Sequence, residues 1–241
     1  MISVKFDVNG AYITRWSHSP QDIIAMGQSY VAWEAGLPQA QRLTAPSLAM
    51  MQAALVAAQA EQVTAGNSEA TRAAAAELYR QTLVNVKGKL KLAVLRLKNK
   101  YFANLAQLEA WGLETVSTPN GVSVRQPRGE AEWAAFLVAY VAKETSLPVA
   151  EQLPDPLLAE MTALLATLQQ AHADRTAGRN RRETAVQVRS VLAAQLLMLL
   201  QTAAIVLVAT RYNGEVSSEL QQWGFDVVHR PPANHNTPPA A

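Results

Sequence analysis

The sequence predicts a mainly α-helical fold built from two tandem copies of a roughly 110-residue helical-bundle unit. Three observations lead to this prediction: the chain repeats itself, Ala-rich stretches with helical spacing dominate both copies, and short strand signals lie between them. Ala has the highest helix propensity and lets backbones approach closely. We therefore expect closely packed helices with short β-hairpin or strand segments at the junctions.

The repeat is clearest in two nine-residue segments, YVAWEAGLP from Tyr30 and YVAKETSLP from Tyr140, which are identical at six positions and 110 residues apart. After the Ala-Gly pairs at 65–66 and 177–178 the separation becomes 112, which predicts two extra residues in a loop near His172 to Thr176. The ordered matches indicate a tandem duplication. The predicted divisions are repeat A at 1–116, repeat B at 117–228 and a Pro-rich tail at 229–241.

Each repeat is expected to open with a hairpin and to close with a short strand. Asn9-Gly10 separates SVKFDV from AYITR, and Asn120-Gly121 separates TVSTP from VSVRQ. Asn-Gly pairs favour the positive φ values of a tight turn, whereas Pro119 suits only a strand end. The closing strands are ETV in repeat A and FDVV in repeat B.

Four helical segments are expected between these strands in each repeat. The first ends at Leu-Pro, the second starts near a proline and ends at a glycine, the third is the longest, and the fourth ends in Trp-Gly. The predicted ranges are 20–35, 46–66 and 68–102 in repeat A, and 129–145, 156–178 and 182–212 in repeat B. Trp111 and Trp223 precede the stopping glycines and are predicted to cover the end of each bundle.

In the stretches AAFLVAYVAKETSLP, LLAEMTALLATLQQAHADRTAGRNRRETAV and SELQQWGFDVV, the chain resembles a group of uncharacterised bacterial Ala-rich tandem four-helix-bundle proteins. The shared pattern is an aromatic-rich first helix, a Leu-Pro break, two long Ala-rich helices joined by a polar loop, and a closing strand. The resemblance covers nearly the whole chain and implies a four-helix unit. The group has no assigned activity, so no functional residue is carried over.

Composition and motifs argue against catalysis. The formal net charge is only +2 and there is no cysteine, which excludes disulfides, thiolate metal sites and thiol catalysis. Nucleophile, phosphate-loop and dinucleotide motifs are absent. We therefore expect a protein that is not an enzyme, with no catalytic residue, metal, cofactor or small-molecule substrate.

The histidines and acidic residues support the same expectation. All four histidines are predicted to lie in loops or the tail: His18, His172, His229 and His235. A di-iron Glu-x-x-His pair fails because Gln169 stands three residues before His172. Four carboxylates considered as acid-base pairs lie near helix starts or basic neighbours, where they complement the helix dipole: Glu69, Glu77, Asp155 and Glu160.

The basic segment VKGKLKLAVLRLKNK (86–100) contains no acid, and on a helix its cations form two flanks beside an apolar stripe. These flanks could bind a polyanion, either nucleic acid or an anionic membrane surface, or could be lysines whose stems cover a buried stripe. The candidate cations are Lys87, Lys89, Lys91, Arg96, Lys98 and Lys100.

The run VLAAQLLMLLQTAAIVLVA (191–209) has the length of a membrane span. At a separation of 112 it matches 79–97, a segment with five cations that would be costly in a bilayer. We therefore expect a helix buried on nearly every side and no transmembrane span. Another subunit could cover its apolar faces.

The function expected from these features is structural: self-association into a homo-oligomer, extending to a head-to-tail filament or higher assembly through terminal strands and the apolar helix. The alternative is the polyanion-binding module. The candidate assembly residues are Phe225, Val227, Val228, Leu196, Leu199, Leu200 and Val208. The amino-terminal residues lack a signal-peptide layout, so a cytoplasmic location is the default expectation, with unconventional export or surface assembly left open.

Overall fold

A computed structural model describes residues 11–119 and 121–230. The chain is mainly helical, with two small antiparallel strand pairs. The predicted Pro-rich tail, 229–241, starts too early, because His229 belongs to the last strand. Residues 231–241, with His235, and the first strand of the hairpin predicted in repeat A lie outside the described residues. The helices and strands are β1 (Tyr12–Arg15), α1 (Pro20–Gly36), α2 (Leu48–Lys100), β2 (Glu114–Thr118), β3 (Gly121–Arg125), α3 (Glu130–Thr145), α4 (Leu158–Arg211) and β4 (Asp226–His229). Four short 3-10 helices lie between them: Gln39–Gln41, Leu105–Trp111, Val149–Glu151 and Ser218–Trp223.

The two long helices correct the predicted helix boundaries. The second and third predicted helices of each repeat form one continuous helix, α2 or α4, and Gly66 and Gly178 lie inside it. A glycine inside a helix costs only about 1 kcal/mol relative to Ala, and the Ala-rich neighbours favour helix strongly. The glycines therefore do not end the helices.

Continuity of α4 also removes the loop predicted near 172–176. His172 lies within α4, and His229 lies in β4, so two of the four histidines are not in loops. The connection that follows the long helix has four residues at 101–104 and six at 212–217. The length difference between the two halves of the chain therefore lies after the long helices.

The chain divides into two compact units that differ from the predicted repeats. Unit 1 combines 11–68 with 182–230, and unit 2 is the continuous segment 69–181. Each long helix contributes its first part to one unit and its second part to the other. The divisions at 116 and 228 were predicted from sequence similarity. The compact units have their boundaries at other residues, so the repeat boundaries remain a prediction.

In unit 1, α1 packs against the first part of α2 and the second part of α4 around a buried core. Leu196 and Leu200 of α4 and Tyr30 of α1 have no exposed surface. β1 pairs with β4 in antiparallel register, with Thr14 opposite Val227.

In unit 2, the second part of α2, α3 and the first part of α4 enclose the corresponding core. Leu90, Leu97 and Tyr140 have no exposed surface. β2 pairs with β3, with Thr115 opposite Val124, so the strand pair predicted in repeat B is present. The predicted turn position is wrong for Gly121, which is the first residue of β3 and pairs with Thr118, and Asn120 lies outside the described residues.

Buried positions recur along the chain at regular separations. In the long helices they are 110 residues apart: Val86 and Leu196, Leu90 and Leu200, Ala93 and Ala203, Leu97 and Leu207. Beyond the long helices they are 112 apart: Leu108 and Leu220, Trp111 and Trp223, Leu113 and Phe225. The burial pattern therefore aligns the apolar run 191–209 with 81–99, two residues further along than the sequence comparison indicated.

Candidate functional site

The strand pair β1·β4 closes unit 1 by joining two segments that are remote in the chain. The backbone N–H of Arg230 donates to the carbonyl of Ala11 at 2.8 Å, and the rings of Tyr12 and His229 meet edge to face with centroids 5.5 Å apart. The side-chain amide of Gln221 donates to the carbonyl of Val227 at 2.9 Å. No direct chain connection joins the two strands within 11–119 and 121–230.

An aromatic cluster anchors β4 to the rest of unit 1. Phe225 and Trp223 are buried, and their ring centroids lie 6.0 Å and 5.5 Å from that of Tyr30 on α1. Gly224 has φ +84°, and a Cβ at this position would lie 2.4 Å from the Cβ of Ser29. A glycine is required there both by the positive φ and by the close approach of the turn to α1.

Unit 2 contains the same arrangement around a covalent hairpin. Trp111 is buried with its ring centroid 5.6 Å from that of Tyr140, and Gly112 has φ +83° and would place a Cβ 2.5 Å from the Cβ of Ala139. The predicted burial of both tryptophans is thus confirmed. The equivalent strand pair, β2·β3, carries an ion pair between Arg125 and Glu114 at 2.8 Å. In unit 2 the paired strands are consecutive in the chain, and only two residues separate Thr118 from its partner Gly121, whereas β1 and β4 have no such link among the described residues.

Five of the seven candidate assembly residues are almost wholly buried in the single chain, and the other two are half-buried. Leu196, Leu200 and Val208 on α4 and Phe225 and Val227 near β4 all belong to the core of unit 1, whereas Leu199 and Val228 are half-buried. Their burial within one chain does not test the role in assembly that was predicted for them. The same contacts could form between copies only if one segment left its own core and entered that of a neighbour.

The apolar run on α4 is less enclosed than the sequence suggested. Val191 and Met198 are 50% and 60% exposed, so the run is not buried on nearly every side. α4 is also long and apolar enough to cross a membrane, with a mean hydropathy of 2.3 over its most apolar window, of which 39% is buried. Because its Leu196 and Leu200 pack fully against α1 and α2, the core-helix interpretation remains our expectation.

The six candidate cations fall on two sides of α2. Lys89 pairs with Glu160 at 2.7 Å, Arg96 lies 3.8 Å from Asp155, and the ammonium of Lys100 donates to the carbonyl of Glu151 at 2.6 Å. The other three, Lys87, Lys91 and Lys98, have no ion pair with any residue in 11–119 or 121–230. Two of the three cations on one flank are therefore paired with acids, whereas none of the three on the other flank is.

The carboxylates considered for acid-base chemistry are engaged in ion pairs. Glu69 pairs with Arg72 at 2.6 Å and Glu77 with Arg80 at 2.7 Å. Hydrogen bonds from Arg80 and Gln81 lower the pKa of Glu77 to about 2. Asp155 and Glu160 pair with the cations of α2. Among the described residues no group of three or more acidic or histidine side chains is arranged to hold a metal ion.

Two buried glutamates were missed by the sequence analysis. Glu34 and Glu144 have no exposed surface, and each accepts the backbone N–H that follows its Leu-Pro turn, from Leu43 at 2.8 Å and from Leu153. Burial raises the pKa of Glu144, against the opposing effects of the Leu153 N–H and Lys100. The recurring Tyr-x-x-x-Glu-x-x-Leu-Pro pattern was the available signal, since a glutamate kept at the same place in both segments is unusual in an apolar helix.

The geometry of these glutamates indicates a structural role. Each carboxylate fixes the chain between the first helix of its unit and the start of the following long helix. The second oxygen of each, and the hydroxyl of Tyr140, have no hydrogen-bond partner within 11–119 and 121–230. Burial, followed by the adjacent glutamate, raises the pKa of both Tyr30 and Tyr140, so both phenols stay neutral.

No protein-family model matches this chain, and comparisons with curated proteins and with solved structures find no relative. Functional inference therefore rests on the geometry of the molecule.

Proposed function

We propose that this is a non-catalytic structural protein that self-associates by exchanging β4 between copies. The observation that carries the proposal is the closure of unit 1 by strands more than two hundred residues apart in sequence, where unit 2 has a hairpin. A strand that is held only by non-covalent contacts can make the same contacts in a neighbouring copy.

A tandem duplication accounts for this difference between the units. Unit 2 consists of the second part of repeat A followed by the first part of repeat B, so its strand pair crosses the junction of the repeats. Unit 1 consists of the remaining parts, which meet only through folding. The 110- and 112-residue spacing of buried positions supports this proposal.

Exchange would use the contacts already described. Phe225 and Val227 would leave the core of one copy and fill that of the next, and Val228 would pair with Ile13 of the neighbour. If each copy donates to the next without closing a ring, the result is a head-to-tail filament, whereas reciprocal exchange gives a closed dimer. An exchanged β4 makes the same contacts in a neighbouring copy as it makes in its own chain. Exchange between chains therefore competes with pairing of β1 and β4 within one chain, and association should rise with protein concentration.

Mixed cysteine variants test the proposal directly, because the chain has no native cysteine. Thr14 and Val227 are opposite each other on β1 and β4, and opposed residues of antiparallel strands have Cα atoms within disulfide range. A Thr14→Cys chain mixed with a Val227→Cys chain is expected to form a 14–227 disulfide between chains, identified by peptide mass. Its yield should increase with concentration.

The hairpin of unit 2, whose two strands are consecutive in the chain, supplies a matched control. Thr115 and Val124 are the corresponding opposed residues on β2 and β3. Mixed Thr115→Cys and Val124→Cys chains are expected to give no 115–124 disulfide between chains, because the turn keeps these strands together. The double variant Thr14→Cys/Val227→Cys should lock single chains and suppress association in light scattering. A clean monomer at micromolar concentration with no 14–227 link between chains would refute the proposal.

A further inference from the structure

One face of α2 in unit 2 combines exposed apolar residues with lysines that have no ion-pair partner. The six members within α2 follow the i, i+3, i+4, i+7, i+11, i+14 spacing that places residues on one helix stripe, and the seventh lies two residues after the end of the helix. They are Val84, Lys87, Gly88, Lys91, Leu95, Lys98 and Phe102. We call this set the basic-apolar stripe.

Most of the stripe is exposed to solvent, and Lys87 and Lys98 are half-buried. Val84, Leu95 and Phe102 are 57%, 56% and 79% exposed, and a Cβ on Gly88 would meet no atom within 4 Å. Phe102 follows the last turn of α2 and is the most exposed aromatic residue of the described segments. Large apolar side chains exposed together on one face are a feature of binding surfaces.

Charge on the stripe has one sign. The segment 84–102 contains no acidic residue, and the acids that neutralise the opposite flank of α2 reach Lys89 and Arg96. No ion pair to Lys87, Lys91 or Lys98 occurs in the described part of the chain. A partner for the stripe must therefore be anionic and must also accept apolar side chains.

We propose that the basic-apolar stripe docks on the surface of an anionic lipid bilayer. There the lysines contact lipid phosphate and carboxylate groups while Val84, Leu95 and Phe102 enter the boundary between headgroups and acyl chains. Lysines and apolar residues alternate along the same line, and a fluid interface can satisfy both kinds of contact at once. A nucleic-acid backbone offers charge but no apolar layer, so it leaves Leu95 and Phe102 unexplained.

A second copy of this chain fits the stripe less well. The exposed large apolar residues on the second part of α4 are Val188, Val191 and Met198, and the segment 188–198 contains no acid. Charge complementarity therefore favours lipid over self-docking through this face.

Vesicle sedimentation of the full chain tests the proposal. The chain is expected to bind vesicles of phosphatidylcholine with phosphatidylserine and to stay in solution with phosphatidylcholine alone. Replacing Lys87, Lys91 and Lys98 together by Gln should lower the partition coefficient by about 100-fold, since each basic residue near an anionic surface contributes about one kcal/mol. Phe102→Ser should also weaken binding, because it removes an inserted side chain.

The other flank of the same helix supplies the control. Replacing Lys89, Arg96 and Lys100 by Gln removes the same charge and should leave most vesicle binding in place. Circular dichroism checks that both triple variants remain helical. Equal loss in the two triple variants, or a Lys87/Lys91/Lys98 variant that binds like the unmodified chain, would overturn the proposal. So would binding to duplex DNA that depends on these lysines with vesicle binding absent.

Discussion

Glu144 is a carboxylic acid with no exposed surface, close to the Tyr140 phenol and Lys100. Its counterpart Glu34 lies at the same distance before a Leu-Pro turn and holds the Leu43 N–H as Glu144 holds that of Leu153. A buried acceptor that satisfies a backbone donor stabilises the loop, whereas burying its charge is costly. These opposing effects give a prediction for pH.

We expect the stability of the protein to fall as pH rises through the range set by Glu144. Because burial raises the folded-state pKa above the unfolded value of about 4.3, the folded chain binds more protons in this range. The stabilising effect of the protonated form is complete below the unfolded pKa and is lost as pH rises through the folded pKa. Each unit between the two pKa values corresponds to about 1.4 kcal/mol.

Glu144→Gln provides the measurement, since the amide oxygen can still accept the Leu153 N–H but cannot ionise. In urea denaturation, the free energy of unfolding of the unmodified chain minus that of the variant should decrease from pH 4 towards neutrality and then level off. Parallel pH profiles for the two proteins would show that Glu144 ionises as freely when folded as when unfolded.

At the scale of elements, the long helices differ most from the sequence prediction. Length, Ala content and spacing were sufficient to identify helix on both sides of Gly66, but not to decide whether the chain breaks there. Local sequence leaves this choice open, because a glycine can end a helix or be accommodated within it for about 1 kcal/mol. In the structure α2 continues through Gly66, with Ala-rich helical segments on both sides of it.

Gly66→Ala distinguishes the two possibilities. Inside a helix, with no atom within 4 Å of the added Cβ, the substitution should raise the free energy of unfolding by about 0.5 to 1 kcal/mol. At a left-handed helix end, it would instead lower stability by about 1 kcal/mol or more. Thermal and urea denaturation can be compared with Gly178→Ala, where the new Cβ would lie 3.4 Å from the Cα of Arg72 and the gain should be smaller.

For the whole molecule, the boundaries of the compact units at 68–69 and 181–182 do not coincide with the divisions at 116 and 228 predicted from the sequence. Unit 2 is continuous in the chain, and unit 1 brings together 11–68 and 182–230. If the units are equivalent, as the duplication proposal holds, their order in the chain can be permuted without loss of the fold.

A circular permutant tests this equivalence. Arg230 and Ala11 are hydrogen-bonded like strand partners next to a turn, so a Pro-Asn dipeptide copied from 119–120 should join them. The permutant runs from 120 to 230, through this linker, and from 11 to 119. It should retain the helical circular dichroism and thermal midpoint of the parent.

The same permutant should move the exchange site. When cysteine variants of the permutant are mixed, the 115–124 disulfide should form between chains and the 14–227 disulfide should not. The reason is that the permutant links β4 directly to β1 and has no chain connection between β2 and β3. A permutant that unfolds, or that continues to exchange through 14 and 227, would contradict the equivalence of the units.

The sequence alone determined the helical class, the strand pair on either side of residue 120, the buried tryptophans and the two flanks of cations on α2. These features depend on residue spacing and on local backbone preference, which the sequence displays directly. The tertiary structure decided which cations pair with acids. Lys89 pairs with an acid in α4 and Arg96 with an acid just before α4, whereas Lys91 is exposed to solvent.

The tertiary structure also decided that β4 pairs with β1 and that Glu34 and Glu144 are buried. β1 and β4 are far apart in the chain, and their pairing depends on which surfaces the fold brings together. Glu34 and Glu144 accept N–H groups only nine residues away, but their burial depends on the helices that pack around them. Local sequence cannot specify that choice, because the same strand or carboxylate is compatible with several partners until packing leaves one.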